Sequence, residues 1–163
     1  MTENQNELAP LSTSIVSETE NYVVVKDEKG KFSRKAKYAD YSSLEPKDKK
    51  EKIWLLNLLE GAEDSGFGLK NYVGHHIEVE NIITRKYDKI NEETGQQEFG
   101  VLTYLITPDK IAYATSSKSV YFSIMHIMEL FGKPTDADWE NITVQVLSEK
   151  GTNGDMIKIK MIG

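Results

Sequence analysis

The sequence contains no cysteine and only three histidines, two tryptophans and four prolines. The absence of cysteine excludes disulfides, thiolate metal sites and cysteine nucleophiles. The histidines show none of the spacings that zinc sites use, and no motif pairs a nucleophile with a base. The sequence therefore predicts a protein without catalytic residues, metal or cofactor.

Long apolar runs are also missing. No segment reaches the roughly 18 apolar residues that a membrane helix needs. The polar first residues, MTENQNELAPLSTS, lack the basic and apolar regions of a signal peptide. We therefore expect no membrane association and a location in the cytoplasm.

Acidic residues outnumber basic ones by 26 to 20, which gives a net charge of −6. This balance argues against nucleic acid as a partner, because phosphate binding depends on Lys and Arg. The charge is unevenly spread, however, since residues 26–52 carry ten of the 20 basic residues against six acidic ones. Two interpretations of this basic segment stay open: a solvated loop, and a local binding path on an otherwise acidic protein.

A chain of 163 residues, 39% of them hydrophobic, is long enough for one domain with extensions. Residues 1–20 have few large apolar groups, so they predict a disordered acidic tail. Residues 21–72 predict a basic extension with a hairpin, which turns at Lys29 and Gly30, and a helix at about residues 47–60. The remaining domain covers residues 73–163.

This last domain shows three strand patterns, a helix pattern and two more strand patterns. The first strand covers residues 77–90 and has a bulge near Asn81, where the alternation of apolar and polar residues breaks. The helix follows from apolar residues spaced three and four apart, namely Tyr121, Ile124, Met125, Met128 and Leu130. The order predicts a mainly β fold: a five-stranded Greek-key barrel of the OB type with a helix between strands three and four. The hairpin and helix of residues 21–72 precede it.

Three patterns in this part of the chain allow two interpretations each. The face with Leu102, Tyr104 and Ile106 is either a stacking surface or a surface covered by another element. The helix at residues 47–60 either flanks the barrel or binds a partner. Lys158 and Lys160 lie either on a binding face or on the solvent side of an edge strand.

Cations and aromatic residues alternate in the basic segment. Its lysines and arginine are interleaved with Phe32, Tyr38 and Tyr41. This composition suits single-stranded nucleic acid, because bases stack on aromatic rings while the phosphates follow the positive charge.

Residues 53–163 resemble the single-stranded DNA-binding proteins of phages and plasmids of Gram-positive bacteria. The resemblance lies in the VGHHIEV entry to the barrel, the acidic EETG hairpin, the LTYLIT strand, the YATSSKSVYFSIMHIMELFGKP unit and the closing ITVQV strand. It implies largely sequence-independent binding and protection of single strands in replication or recombination of a phage or mobile element. A location in the cytoplasm of the bacterial host follows.

On this interpretation two sets of residues form the binding site. Base stacking is predicted for Tyr87, Tyr104 and Tyr113 and, in the basic segment, for Phe32 and Tyr38. Phosphate binding is predicted for the cations Arg85, Lys86, Lys89, Lys110, Lys118, Arg34, Lys35 and Lys37.

The predicted partners are single-stranded DNA and replication or recombination proteins. RNA is an open alternative to DNA, because contacts to the 2′-hydroxyl cannot be recognised in a sequence. The alternative function is a protein-interaction module, an adaptor or inhibitor built on the same barrel. Oligomers also stay open, since long edge strands could pair between subunits.

Overall fold

The structure, a computed structural model, describes residues 14–18, 22–36, 38–61, 67–151 and 154–163. These residues form strands and helices in the following order: β1 Ser14–Glu18, β2 Tyr22–Lys26, β3 Phe32–Ala36, β4 Tyr41–Ser42, α1 Lys49–Leu59, β5 Phe67–Gly68, a short 3-10 helix Leu69–Tyr72, β6 His76–Val79, β7 Asn81–Ile90, β8 Gln97–Ile106, β9 Ala112–Thr115, α2 Lys118–Phe131, β10 Ile142–Gly151 and β11 Gly154–Ile162.

The strands form three sheets, with the orders β1-β2-β3, β11-β10-β6 and β4-β7-β8-β9-β5. The chain divides into two compact units, residues 1–40 with 85–101 and residues 41–84 with 102–163. We call them the first and the second unit. The division into residues 1–20, 21–72 and 73–163 stays a prediction.

The first unit contains an antiparallel meander of β1, β2 and β3. The turn between β2 and β3 is built on Asp27, whose carboxylate accepts hydrogen bonds from the backbone N–H groups of Lys29 and Lys31. Gly30 supplies the left-handed backbone of this turn, with φ of 81°. The predicted hairpin at Lys29 and Gly30 is thus confirmed. Ser14–Glu18 forms a strand where the sequence predicted a disordered tail, and residues 1–13 and 19–20 lie outside the described residues.

The larger buried cluster of the second unit receives side chains from two sheets and a helix. β6 and β10 supply apolar side chains from one sheet, and β7 and β8 supply them from the other. Helix α2 contributes further apolar side chains to the same cluster. The buried members are Leu69, Ile77, Val79, Ile82, Leu105, Val120, Ile124, Met128, Ile142, Val144 and Val146. The predicted irregularity near Asn81 is a bend at Glu80, which divides the predicted first strand into β6 and β7.

Helix α2 begins and ends with local signals. The Ser117 hydroxyl accepts a hydrogen bond from the N–H of Val120, and Gly132 follows the last turn. The predicted apolar face is buried at Tyr121, Ile124 and Met128. The prediction that Leu130 belongs to this face is wrong, because the residue is 69% exposed.

Helix α1 covers the outer face of β8 and β9. Asp48 caps its first turn by accepting a hydrogen bond from the N–H of Glu51, and the Glu51 carboxylate accepts one from the N–H of Lys47, just before the helix. The side of the helix around Leu58 packs against Tyr104 and Ile106 in a second buried cluster. The covering element is therefore the correct interpretation of the Leu102, Tyr104 and Ile106 face.

The predicted order of three strands, a helix and two strands is confirmed by β7, β8, β9, α2, β10 and β11, and so is the mainly β class. A closed barrel would also pair its third strand, β9, with its fifth strand, β11. In the described part of the chain this pairing is not seen, because the two neighbours of β9 are β8 and the short β5. None of the described helices is long and apolar enough to span a membrane.

Two leucines of α1 test this packing. Leu58 is 2% exposed and Leu56 is 58% exposed. We expect Leu58→Ala to lower the free energy of unfolding by about 2–5 kcal/mol, because it leaves a cavity in a packed cluster. Leu56→Ala, the matched control, should change it by less than about 0.5 kcal/mol. Urea denaturation followed by circular dichroism measures both, and equal losses would contradict the packing.

Candidate nucleic-acid interface

Four aromatic rings of the second unit form a cluster. Phe67 of β5 lies 6.2 Å from Tyr72 and 6.1 Å from Tyr113, measured between ring centroids. Tyr72 in turn lies 4.9 Å from Tyr113 and 5.4 Å from His75. Phe67 is 43% exposed, so a broad part of its ring surface remains open to a ligand. We call these four residues the aromatic cluster.

Backbone pairing holds the cluster in place. β5 pairs parallel with β9, which sets Phe67 opposite Tyr113. Leu69, the first residue of the 3-10 helix, is fully buried in the core. The residues after this helix are fixed to β10, because Gly74 N–H donates to the Val146 carbonyl and Val146 N–H donates to the His75 carbonyl.

A cleft of about 640 Å³ lies beside the same β5 and β9 pair. One wall is formed by residues around β5, β9 and the start of α2, and the other by the β10–β11 hairpin; its lining includes Gly68, Lys70, Leu102, Ala114, Lys118, Gly151 and Ile157. Because consecutive strand residues point to opposite faces, the cleft and the aromatic cluster lie on the two sides of one short strand edge.

The charged side chains that line the cleft carry a net positive charge. Two lysines, Lys70 and Lys118, line it against one acid, Asp155. The N-terminus of α2 also lies there, and its N–H groups carry partial positive charge. The Ser117 hydroxyl donates to the carbonyl oxygen of Ile157 over 2.6 Å, so the helix start is tied to β11.

Of the two stacking residues predicted in the second unit, Tyr113 lies in the aromatic cluster and Tyr104 is buried. Tyr113 belongs to the aromatic cluster; burial raises its pKa, and the neighbouring Tyr72 adds to the rise, so its phenol stays neutral. Tyr104 is only 5% exposed beneath α1. Its ring is inaccessible to a base, and we correct its assignment to a core residue.

The lysines predicted to bind phosphate in this unit also differ in their surroundings. Lys118 lines the cleft. Lys110 instead lies 3.4 Å from the Glu51 carboxylate of α1, in an ion pair that competes with phosphate for its charge. On β11, Lys158 pairs with Glu149, whereas Lys160 is exposed.

In the first unit, Phe32 is 57% exposed and lies 5.6 Å, centroid to nitrogen, from the Lys26 ammonium group. Arg85 and Lys86 are exposed on β7. The ring of Tyr87, the next residue, packs directly against Gly100, and a Cβ atom at position 100 would collide with it. Tyr38 is 4% exposed, so its assignment to base stacking is also corrected.

The structure does not describe the side chains of the other cations that were predicted in this unit. Lys37 and the side chains of Arg34, Lys35 and Lys89 lie outside the described residues. Among the residues that the structure describes, no three histidine or acidic side chains are grouped to hold a metal ion.

Sequence reasoning missed Phe67, Tyr72, His75 and Lys70. These residues lie in a glycine-containing segment that has no phosphate-binding motif. Their rings form a cluster with Tyr113 because β5 pairs with β9, where Phe67 lies opposite Tyr113, 46 positions later in the chain. The available signal was the density of aromatic residues in FGLKNYVGHH, with a lysine among them.

Comparison with known proteins gives one family. The family model described as "Phage Single-stranded DNA-binding protein" matches residues 35–160. A single-stranded DNA-binding protein of Bacillus phage GA-1 is 43% identical over 151 residues, which cover 91% of this chain and 88% of the relative. No solved structure matches the chain. The match to the family model spans more than half of the sequence, and the chain belongs to the phage single-stranded DNA-binding protein family.

Proposed function

We propose that the protein binds and protects single-stranded DNA with little sequence preference and without catalysis. Its family and the name of its Bacillus phage GA-1 relative support this binding. The observation that carries the choice of surface is the partly exposed aromatic cluster beside a lysine-lined cleft. Rings and cations in this combination accept bases and backbone together, whatever the sequence.

In this proposal the strand crosses the β5 and β9 edge. Phe67 is the principal stacking platform, and Tyr72 and Tyr113 support its ring. Lys70 and Lys118 neutralise phosphates inside the cleft, while the N–H groups at the start of α2 add partial positive charge. The exposed Arg85, Lys86 and Phe32 of the first unit are proposed as further contacts.

The fold itself we interpret as an opened OB-type barrel. β6 and β7 together correspond to its first strand, β8 and β9 to the second and third, and β10 and β11 to the last two. The antiparallel pairing of β10 with both β6 and β11 supports this assignment. The cleft then occupies the gap between the third and fifth strands.

The biological setting is proposed from the same family. Single strands become exposed during replication and recombination of a phage or mobile element, and the protein would coat them in the cytoplasm of the bacterial host. Replication or recombination proteins are its proposed partners there.

Fluorescence anisotropy of a labelled oligothymidine of about 30 nucleotides, longer than the site of a single OB fold, tests the proposal. Binding should weaken with salt and be competed by unlabelled single-stranded DNA but not by duplex. An RNA competitor determines whether the protein distinguishes the two nucleic acids. Absence of binding at low salt would contradict the function and favour a protein-interaction module.

Replacement of the stacking platform should weaken binding at constant fold stability. We expect Phe67→Ala to raise the Kd for oligothymidine about tenfold, within the range of about 1–3 kcal/mol for loss of one stacked base. Phe131→Ala, which removes a ring that is 56% exposed on α2, is the matched control and should leave the Kd unchanged. Equal Kd values for both variants would place the stacking surface elsewhere.

Removal of a phosphate contact should instead change the salt dependence. For Lys118→Ala we expect the slope of log K against log salt to fall in magnitude by about 0.7, because one fewer counterion is released from a single strand. Lys70→Ala should behave in the same way. Lys52→Ala, at an exposed position of α1, is the control with the same loss of charge. A slope unchanged in the first two variants would exclude these lysines from the interface.

A further inference from the structure

A second cavity, of about 490 Å³, lies within the second unit at the N-terminal end of α1. Its apolar lining comes from Leu44, Pro46, Leu55 and Ile106 together with the indole of Trp54. The volume lies within the range of about 300–1,000 Å³ that is usual for ligand pockets. No part of this lining belongs to the aromatic cluster or the lysine-lined cleft.

Three acidic and two basic residues line this cavity. Glu45, Glu51 and Glu80 line it, against Lys47 and Lys110. The Glu51 carboxylate already has partners, because it accepts a hydrogen bond from the N–H of Lys47 and forms an ion pair with Lys110. Within the described part of the chain, the carboxylates of Glu45 and Glu80 form no hydrogen bond or ion pair.

Contacts within the chain connect the residues that line the cavity. The Glu51–Lys110 ion pair connects the start of α1 with the turn between β8 and β9. The pKa of Glu51 is lowered, chiefly by the N–H of Lys47 and further by Lys110, so its carboxylate stays ionised. On another wall, the Ser43 hydroxyl donates to the side-chain carbonyl of Asn81 and accepts from the N–H of Ile82. Preorganised walls lower the cost of binding.

We propose that this cavity binds a basic side chain, arginine in particular, from an apolar segment of a partner protein. A guanidinium group matches a carboxylate through paired hydrogen bonds and stacks well on an indole, whereas apolar neighbours of the arginine fit the leucine and proline lining. DNA is a poor occupant, because the carboxylates repel phosphates. The protein thus has a docking site for a partner that is separate from its proposed DNA surface.

The two tryptophans provide the test. In a ¹⁵N-labelled sample of the full chain, the indole N–H of Trp54 reports on the cavity, and that of Trp139, which does not line it, is an internal control. The probes are acetyl-leucyl-arginyl-leucinamide and its glutamyl counterpart, each titrated to about 10 mM, which detects a Kd of about 1 mM. We expect the arginyl peptide to shift the Trp54 signal saturably and the glutamyl peptide to bind at least about tenfold more weakly.

A double variant separates specific recognition from net charge. Glu45→Gln with Glu80→Gln should weaken binding of the arginyl peptide at least about tenfold, a loss that corresponds to about 1.4 kcal/mol. Glu60→Gln with Glu140→Gln removes the same charge at exposed positions and should not weaken it. The unchanged remainder of each spectrum confirms that both variants fold.

Three results would overturn the proposal: no shift of Trp54, equal shifts with both peptides, or equal losses in both double variants. Displacement of the arginyl peptide by oligothymidine would also overturn it, since the cavity would then belong to the DNA surface. The proposal does not depend on DNA binding, so its failure and the failure of the proposed function are separately observed.

Discussion

The second unit depends on a bend in one stretch of chain, at Glu80. On one side of the bend β6 pairs with β10, and on the other β7 joins the five-stranded sheet. Ile77, Val79 and Ile82 therefore enter one core from two sheets. Loss of this bend would separate the sheets and expose apolar surface that contributes about 25 cal/mol per Å² when buried. The hydrogen bond from Glu80 N–H to the Ile106 carbonyl fixes the bend against β8.

Helix α1 has the largest consequence for function. By covering the face with Tyr104, it removes the surface that an aromatic strand would otherwise offer to DNA. At the edge formed by β5 and β9, in contrast, Phe67 is 43% exposed. The same helix contributes Glu51, Trp54 and Leu55 to the lining of the cavity of about 490 Å³.

Much of the fold could be predicted from local patterns. Alternation of apolar and polar residues indicates the long strands, and apolar residues spaced three and four apart indicate α2. These signals depend on neighbours along the chain, which is why the element order was confirmed. Leu130 was misplaced because spacing alone does not show where the covering sheet ends. The site was less predictable: Tyr113 lies in the cluster, but Tyr104 and Tyr38 are buried, and an exposed aromatic ring and a buried one have the same letter in a sequence.

The sequence by itself determined the class of the protein. Its lack of cysteine, its β-rich patterning and its resemblance to single-stranded DNA-binding proteins lead to the family to which the chain belongs. Only the tertiary structure decided which residues are accessible. The pairing of Phe67 with Tyr113, the burial of Tyr104 by Leu58 and the engagement of Lys110 by Glu51 each join residues 46 to 59 positions apart. Such contacts form because distant segments share a core, and no local pattern in the chain encodes them.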